Sequence, residues 1–184
     1  MSVKIIPVDK SNVFEWRKSV RTVFGDIPNK DVVKRMVNDR FMIDFDNWNE
    51  PSDRLLAAFD TEIGKIVGTG GADNYSMTIP GGNSLSMAGI AFMGTLPTHK
   101  RKGIFSSMMK KLHSQAKERG DSISGLWASQ SLLYSRFGYG LATIREDWSI
   151  NSNHTNLSKP KNDSIRFELV DKNTALKEIP KIYD

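Results

Sequence analysis

Between Leu85 and Ser107 the chain passes from a nearly uncharged apolar run through Met93-Gly94-Thr95-Leu96-Pro97 into Thr98-His99-Lys100-Arg101-Lys102-Gly103, and then into its most regular helical pattern. A strand, a basic turn and a helix start in that order can hold a pyrophosphate. N–H groups in the first turn of a helix have no partner within it and lie at the positive end of the helix dipole, so they donate to phosphate oxygens. Gly103 permits close approach of the backbone, and Lys100, Arg101 and Lys102 add positive charge. A basic surface turn is the plain alternative. The position between a strand stopped by Pro97 and a helix favours the cradle.

Other reactive side chains are sparse. His99, His113 and His154 show no metal-ligand spacing and cysteine is absent, so no metal is assigned and the histidines read as surface or packing residues. There is no Gly-x-Ser-x-Gly elbow, and Gly70-Gly71 and Gly81-Gly82 read as turn glycines. Two tyrosines lie further on. Tyr139, between Gly138 and Gly140, reads as a ring packed in a tight bend, whereas Tyr134 falls where a short helix would meet the end of the apolar strand.

The elements that must position these residues follow from periodicity. Val3 to Val8 predicts a strand, and Ser11, ahead of Val13, Phe14, Trp16 and Val20, an N-cap opening a helix that ends near Phe24. Asp31 to Arg40 predicts a second helix and Asn47 to Asp53 a loop. Leu55 to Phe59 and Gly64 to Gly70, separated by Asp60 to Glu62, predict a hairpin, and Leu85 to Thr95 a strand buried on both faces. Gly103 to Arg119 is a helix with Ile104, Met108, Leu112 and Ala116 inside and Gly120 as its C-terminal cap. A strand over Ser124 to Ala128, a short helix over Gln130 to Tyr134 and a last strand over Thr143 to Ile150 complete an α+β pattern around one sheet.

The 184 residues, 39% hydrophobic and 26% charged, make one ordinary domain with a remainder. No apolar run approaches membrane-spanning length. The start, MSVKIIPVDK, lacks the apolar region of a secretory signal, which together with the absence of cysteine favours a cytoplasmic protein. The net charge of +5 admits a polyanionic partner, but the basic residues are spread along the chain and the densest run, Lys100 to Lys102, has no aromatic beside it except Phe105, so nucleic acid is disfavoured. Asn151 to Asp163 reads as a linker between a domain over residues 1–150 and a remainder over 164–184. Ile165 to Lys177 echoes Val3 to Glu15, with Val-Asp-Lys in each, as a repeat would.

Lys100-Arg101-Lys102-Gly103-Ile104-Phe105 resembles the phosphate-binding motif of the GNAT N-acetyltransferase superfamily, which has Gln or Arg at the first position and Gly or Ala at the last. The Eis-like branch of that superfamily is more similar. Its likeness lies in Met77-Thr78-Ile79-Pro80-Gly81-Gly82, in Leu96-Pro97-Thr98-His99 with the basic run, and in Tyr134-Ser135-Arg136-Phe137-Gly138-Tyr139-Gly140-Leu141-Ala142-Thr143. The resemblance implies a GNAT fold, a mixed, mostly antiparallel sheet flanked by helices, with residues 164–184 beginning a second, truncated GNAT-like module. It also implies acetyl-CoA as donor. Its pantetheine arm would lie against Met93, Gly94 and Thr95, and its pyrophosphate on Arg101, Lys102, Gly103, Ile104, Phe105 and Ser106. A further contact would come from Ser129 and Gln130, the latter where the family has Glu.

The chemistry so implied is attack by a neutral amine on the thioester, with strand N–H groups facing the oxyanion and Tyr134 protonating the departing thiolate. A tyrosine pKa of about 10 suits that task near neutrality. Phe24-Gly25-Asp26 resembles an acceptor-pocket element of the family, with Trp48 in the same wall; an aromatic wall with a carboxylate suits a cationic amine. Acceptors of this kind are aminoglycosides, polyamines or lysine side chains. The family's general base is the carboxyl terminus of the full-length protein, which this chain is expected to stop short of, and family members assemble into homo-oligomers. Two other readings stay open: a non-catalytic acetyl-CoA-binding module, and a basic nucleic-acid-binding protein.

Overall fold

The computed structural model describes residues 2–41, 52–151, 153, 166 and 168–182. Two compact units divide the chain, Met1–Ala142 and Thr143–Asp184. The first is built on a five-stranded sheet in which sequence neighbours are also spatial neighbours: β1 (Val3–Pro7), β2 (Leu55–Asp60), β3 (Lys65–Thr78), β4 (Ser84–Thr95) and β5 (Ile123–Leu126). The first three pairings are antiparallel and β4–β5 is parallel. The parallel pair requires a crossover, which α3 (Ile104–Arg119) supplies.

Strand alternation assigns the two faces. In β2, Leu55 and Ala57 join Val8, Val13, Trp16, Val20, Val33 and Val37 beneath α1 (Val13–Val23) and α2 (Lys30–Phe41). Leu56 and Ala58 point the other way, into a cluster with Ile104, Met108, Met109, Leu112 and Ala116 of α3. A strand with both faces covered reads as a continuous apolar run, which is why Leu55-Leu56-Ala57-Ala58 shows no polar alternation. Trp16, fully buried, also donates from Nε1 to Leu56 O at 2.8 Å, so α1 is fixed to β2 by a directional bond.

Several local expectations are corrected. The turn into α1 is capped by Asp9, not Ser11: Asp9 Oδ1 accepts from the N–H groups of Ser11 and Asn12. Strand β3 does not end at Gly70 but continues through a polar stretch to Thr78, pairing with β4 down to Thr78 opposite Ser84. Gly81 and Gly82, with φ of +96° and +82°, make the turn, whereas Gly70 and Gly71 lie inside the strand. The residues at 70 and 71 are small for packing: a Cβ on Gly70 would meet Met93 Sδ at 2.7 Å, and one on Gly71 would meet Leu55 Cδ2 at 2.8 Å. Strand β5 begins one residue earlier and ends at Leu126, and single 3₁₀ turns at Ser131–Leu133 and Ser135–Phe137 replace the short helix over 130–134.

Residues 143–150 form no strand; Ile144, Trp148 and Ile150 are exposed there. In this second unit the helix α4 (Lys172–Glu178) is capped by Asp171, whose side chain accepts from Asn173 and Thr174 N–H groups. The shared Val-Asp-Lys tripeptide therefore places an acceptor at a helix entrance in both units. Unlike β1 before α1, no strand precedes α4 among the described residues, where Leu169 and Val170 are exposed. No helix among the described residues is long and apolar enough to cross a membrane.

Leu112 is fully buried at the centre of the α3 face. Leu112→Ala should lower unfolding free energy by about 3 kcal/mol, read by urea denaturation. A second prediction concerns Asp121, which accepts from Ser86 Oγ at 2.7 Å and from Arg119 Nη2 at 3.0 Å. The Ser86 bond first, then Arg119 and the Arg54 charge, hold its carboxyl below the ordinary value of 3.8. A depressed carboxyl contributes stability that is present above its unfolded pKa and lost as pH falls through its folded one. The advantage of the native protein over Asp121→Asn in urea should therefore be full at pH 7 and shrink below about pH 4.

Candidate active site

The register places an opening at the end of the parallel pair. Strands β4 and β5 match from Met87 opposite Ile123 to Ile90 opposite Leu126, and beyond that β4 runs on alone to Thr95. At the same level β4 carries a bulge: its pairing with β3 shifts between Thr69 and Gly71, and Phe92 has a φ of +59°. A bulky residue at positive φ is held only where its surroundings over-determine it. Thr69, fully buried, donates from Oγ1 to Phe92 O at 2.8 Å. The Phe92 ring meets Trp16 edge-on at 5.3 Å, and the Arg17 guanidinium lies over it at 5.3 Å. None of these four residues carries a sequence motif for the role.

Past the bulge, Leu96 N–H donates back to Val67 O at 2.8 Å. Successive N–H groups of a strand point to opposite edges, so those of Thr95 and Met93 turn toward the side where β5 has ended. The Met93 side chain itself is buried in the core, and Gly94 lies under Val23 of α1, where a Cβ would come within 2.5 Å of Val23 Cγ2. These residues thus present backbone to the opening. Thr95 stands opposite Gly68, which faces Ile104 and Met108 of α3, and its Oγ1 is buried with no hydrogen-bond partner.

The basic turn lies next to this opening. Arg101 and Gly103 are both left-handed, with φ of +61° and +76°, and Lys100, Arg101 and Lys102 are exposed. Gly103 is the N-cap of α3, and no side chain caps the helix start. The space around Gly103 is open, since a Cβ there meets nothing within 4 Å. Its φ requires the glycine, and the open space leaves its backbone accessible. Ile104 is buried in the core, and Phe105 packs on Tyr134 and Phe137, each at 6.0 Å between ring centres. The bulky residue at the last motif position is absorbed by this aromatic cluster.

Tyr134 sits between the two 3₁₀ turns, half-buried, with its ring against Phe105 in the first turn of α3. Burial pushes its phenol above the ordinary value of 10, which keeps it protonated. Among the described residues its hydroxyl has no hydrogen-bond partner, whereas the Tyr139 hydroxyl lies 2.6 Å from Ser124 Oγ and 2.9 Å from His113 Nε2. Tyr139 is thus a packing residue. Burial lowers the His113 pKa, so that ring stays neutral in the cluster.

Ser129 and Gln130 follow the end of β5 and are exposed. Phe24 is exposed at the C-terminus of α1, the end that Val23 seats on Gly94, and Asp26 pairs with Arg21 Nη2 at 3.2 Å. Trp48 lies outside the described residues. A groove of about 490 Å³ between α1 and α2, lined by Phe14, Glu15, Lys18, Pro28, Lys30, Val33 and Lys34, includes none of the expected site residues. No group of three or more His, Asp or Glu among the described residues is placed to hold a metal.

The sheet with its one parallel pair, ending beside a free helix start, belongs to an acetyltransferase scaffold: residues 4–142 match the acetyltransferase (GNAT) domain family. The chain belongs to that family, whose members use acetyl-CoA. Within it, the chain is 30% identical over 186 residues to an uncharacterized N-acetyltransferase of Streptomyces avermitilis, covering 99% of this chain. The chain spans 42% of the length of that curated relative. The crystal structure of Eis1 from Mycobacterium abscessus superposes with a TM-score of 0.60 at 25% identity, covering 77% of this chain and 32% of that one. A "predicted acetyltransferase with acetyl-CoA" from Clostridium acetobutylicum shares the fold, with a TM-score of 0.62 at 20% identity over 80% of this chain and 96% of that one.

The buried, unpartnered Thr95 hydroxyl and the uncapped start of α3 are a free polar atom and free N–H groups of the kind that suit a ligand with amide and phosphate groups, such as acetyl-CoA. Because no protein atom crowds Gly103 and only its φ opposes a side chain within the fold, Gly103→Val should cost about 1–2 kcal/mol of stability. Gly103→Asn, which tolerates the left-handed region, should cost less, as read by urea unfolding of both variants.

Proposed function

We propose that this chain is an acetyl-CoA-dependent N-acetyltransferase, or the amino-terminal domain of one, that acetylates a primary amine. The acceptor is a small cation such as an aminoglycoside or polyamine, or a lysine side chain. The observation that supports the reading is the end of the β4–β5 pairing at Leu126 while β4 runs on to Thr95, beside the uncapped start of α3 on whose Phe105 the Tyr134 ring packs. The donor supplies an acyl thioester. Thr95 and Met93 offer N–H groups and Thr95 a hydroxyl along the open edge of β4. The first-turn N–H groups of α3, with Arg101 and Lys102, take the phosphates, and Ser129 and Gln130 border the far side.

As the amine nitrogen bonds to the acyl carbon and the carbon–sulfur bond breaks, Tyr134 Oη, kept protonated by its raised pKa, would give its proton to the departing sulfur, and the proton shed by the amine would pass to water or a carboxylate. Asp26 offers the acceptor a carboxylate beside the Phe24 ring. Since Arg21 already pairs with it, an incoming ammonium competes for that partner. The second unit is read as the start of a further GNAT-like module, and the protein as a cytoplasmic homo-oligomer.

Titration calorimetry of the 184-residue chain with acetyl-CoA should show saturable binding. Binding without thiol release in the presence of amines would identify a non-catalytic acetyl-CoA module, whereas affinity for polyanions that falls steeply with salt, without acetyl-CoA binding, would favour the nucleic-acid reading. In the active full-length form, Tyr134→Phe should lower turnover by about a hundredfold or more with donor affinity intact. Unchanged turnover would remove Tyr134 as the acid.

A further inference from the structure

His99 immediately precedes the basic turn, yet its side chain is turned inward and only 8% of the residue is exposed. Its Nε2 lies 3.0 Å from Asp60 Oδ2, at the end of β2, across a sequence separation of 39 residues. Asp60 is itself fixed: its Oδ1 accepts from Ser2 Oγ at 3.1 Å and from Glu62 N–H at 2.9 Å. The other ring nitrogen, Nδ1, is 2.8 Å from Thr98 Oγ1. With hydrogen on Nε2, the neutral ring donates to Asp60 and accepts from Thr98; with both nitrogens protonated it donates to both. The bond to Asp60 therefore stands in either charge state of the ring.

The residues that follow have no comparable tether. Among the described residues, the Lys100, Arg101 and Lys102 side chains make no hydrogen bond or ion pair. The left-handed Arg101 is a conformation that a non-glycine residue keeps only when the chain on both sides is held. On the downstream side, buried Ile104 anchors α3. Upstream, the anchor is His99.

We propose that His99 is a positioning residue for the donor's pyrophosphate: clamped to Asp60, it fixes the entrance of the Lys100–Gly103 turn so that the phosphate-binding backbone is formed before the ligand arrives. The proposal rests on the reading of this turn as the acetyl-CoA phosphate site. A loop ordered in advance saves the cost of ordering it on binding, and the saving appears only for ligands that use the loop.

The test compares two donors by calorimetry: acetyl-CoA, and S-acetylpantetheine, which lacks the pyrophosphate. His99→Leu keeps the buried volume and loses the bond, and it should bind acetyl-CoA about tenfold more weakly with S-acetylpantetheine affinity unchanged. His99→Gln, whose side-chain amide can donate to Asp60, should recover most of the acetyl-CoA affinity. If His99→Leu does not fold, Asp60→Asn gives the same comparison, with a smaller loss confined to acetyl-CoA. Equal weakening of both donors would show that His99 serves only the fold and would overturn the clamp. Wild-type affinity in His99→Leu would overturn it while leaving the phosphate site in place, and absence of acetyl-CoA binding by the native chain would overturn both.

Discussion

A parallel strand pair stays joined only while both strands keep the same course, and β4 changes course at Phe92. The bulge there is the constraint on which the rest of the site depends. It turns the Phe92 carbonyl onto the buried Thr69 hydroxyl, places the ring between Trp16 and Arg17, and leaves the backbone from Met93 to Thr95 running on past the end of β5. A bulge next to an opening re-aims the chain without exposing the core, since the β3 side of β4 remains paired down to Gly68 opposite Thr95.

The neighbouring residues are chosen around that bend. Gly70 and Gly71, opposite the bulge, make room for Met93 and for Leu55 and Phe92. Gly94 admits Val23, which brings the C-terminal end of α1, with Phe24 and Asp26, over the same part of β4. On the other face, Ile104 buries the first residue of α3 while its N–H group remains at the free helix start. One strand irregularity therefore sets the relative places of the basic turn before α3, the unpaired end of β4 and the Asp26 carboxylate.

Aromatic packing extends the same arrangement past β5. Phe105 replaces the small residue of the common motif, and its ring is taken up by Tyr134 and Phe137, so the departure adds a wall rather than blocking the helix start. Tyr134 and Tyr139, five residues apart and edge-on at 6.0 Å, are separated in role by their hydroxyls. That of Tyr139 is bound to Ser124 and His113; that of Tyr134 has no hydrogen-bond partner among the described residues. Their sequence contexts already favoured this division, because the glycines flanking Tyr139 mark a bend.

By itself the sequence determined the α+β order, the strand-turn-helix that presents the basic loop, the α3 core face and the family likeness. All of these are written in short-range signals: period-2 and period-3.6 apolar patterns, turn glycines and one contiguous motif. The tertiary structure alone decided the continuation of β3 beyond Gly71, the bulge at Phe92, the burial of His99 against Asp60, and the absence of a strand over residues 143–150. Each of these depends on partners distant in sequence: Thr69 lies 23 residues from Phe92, and Asp60 lies 39 from His99. A polar strand such as residues 73–78 is specified by the ladder it completes rather than by its own apolar pattern.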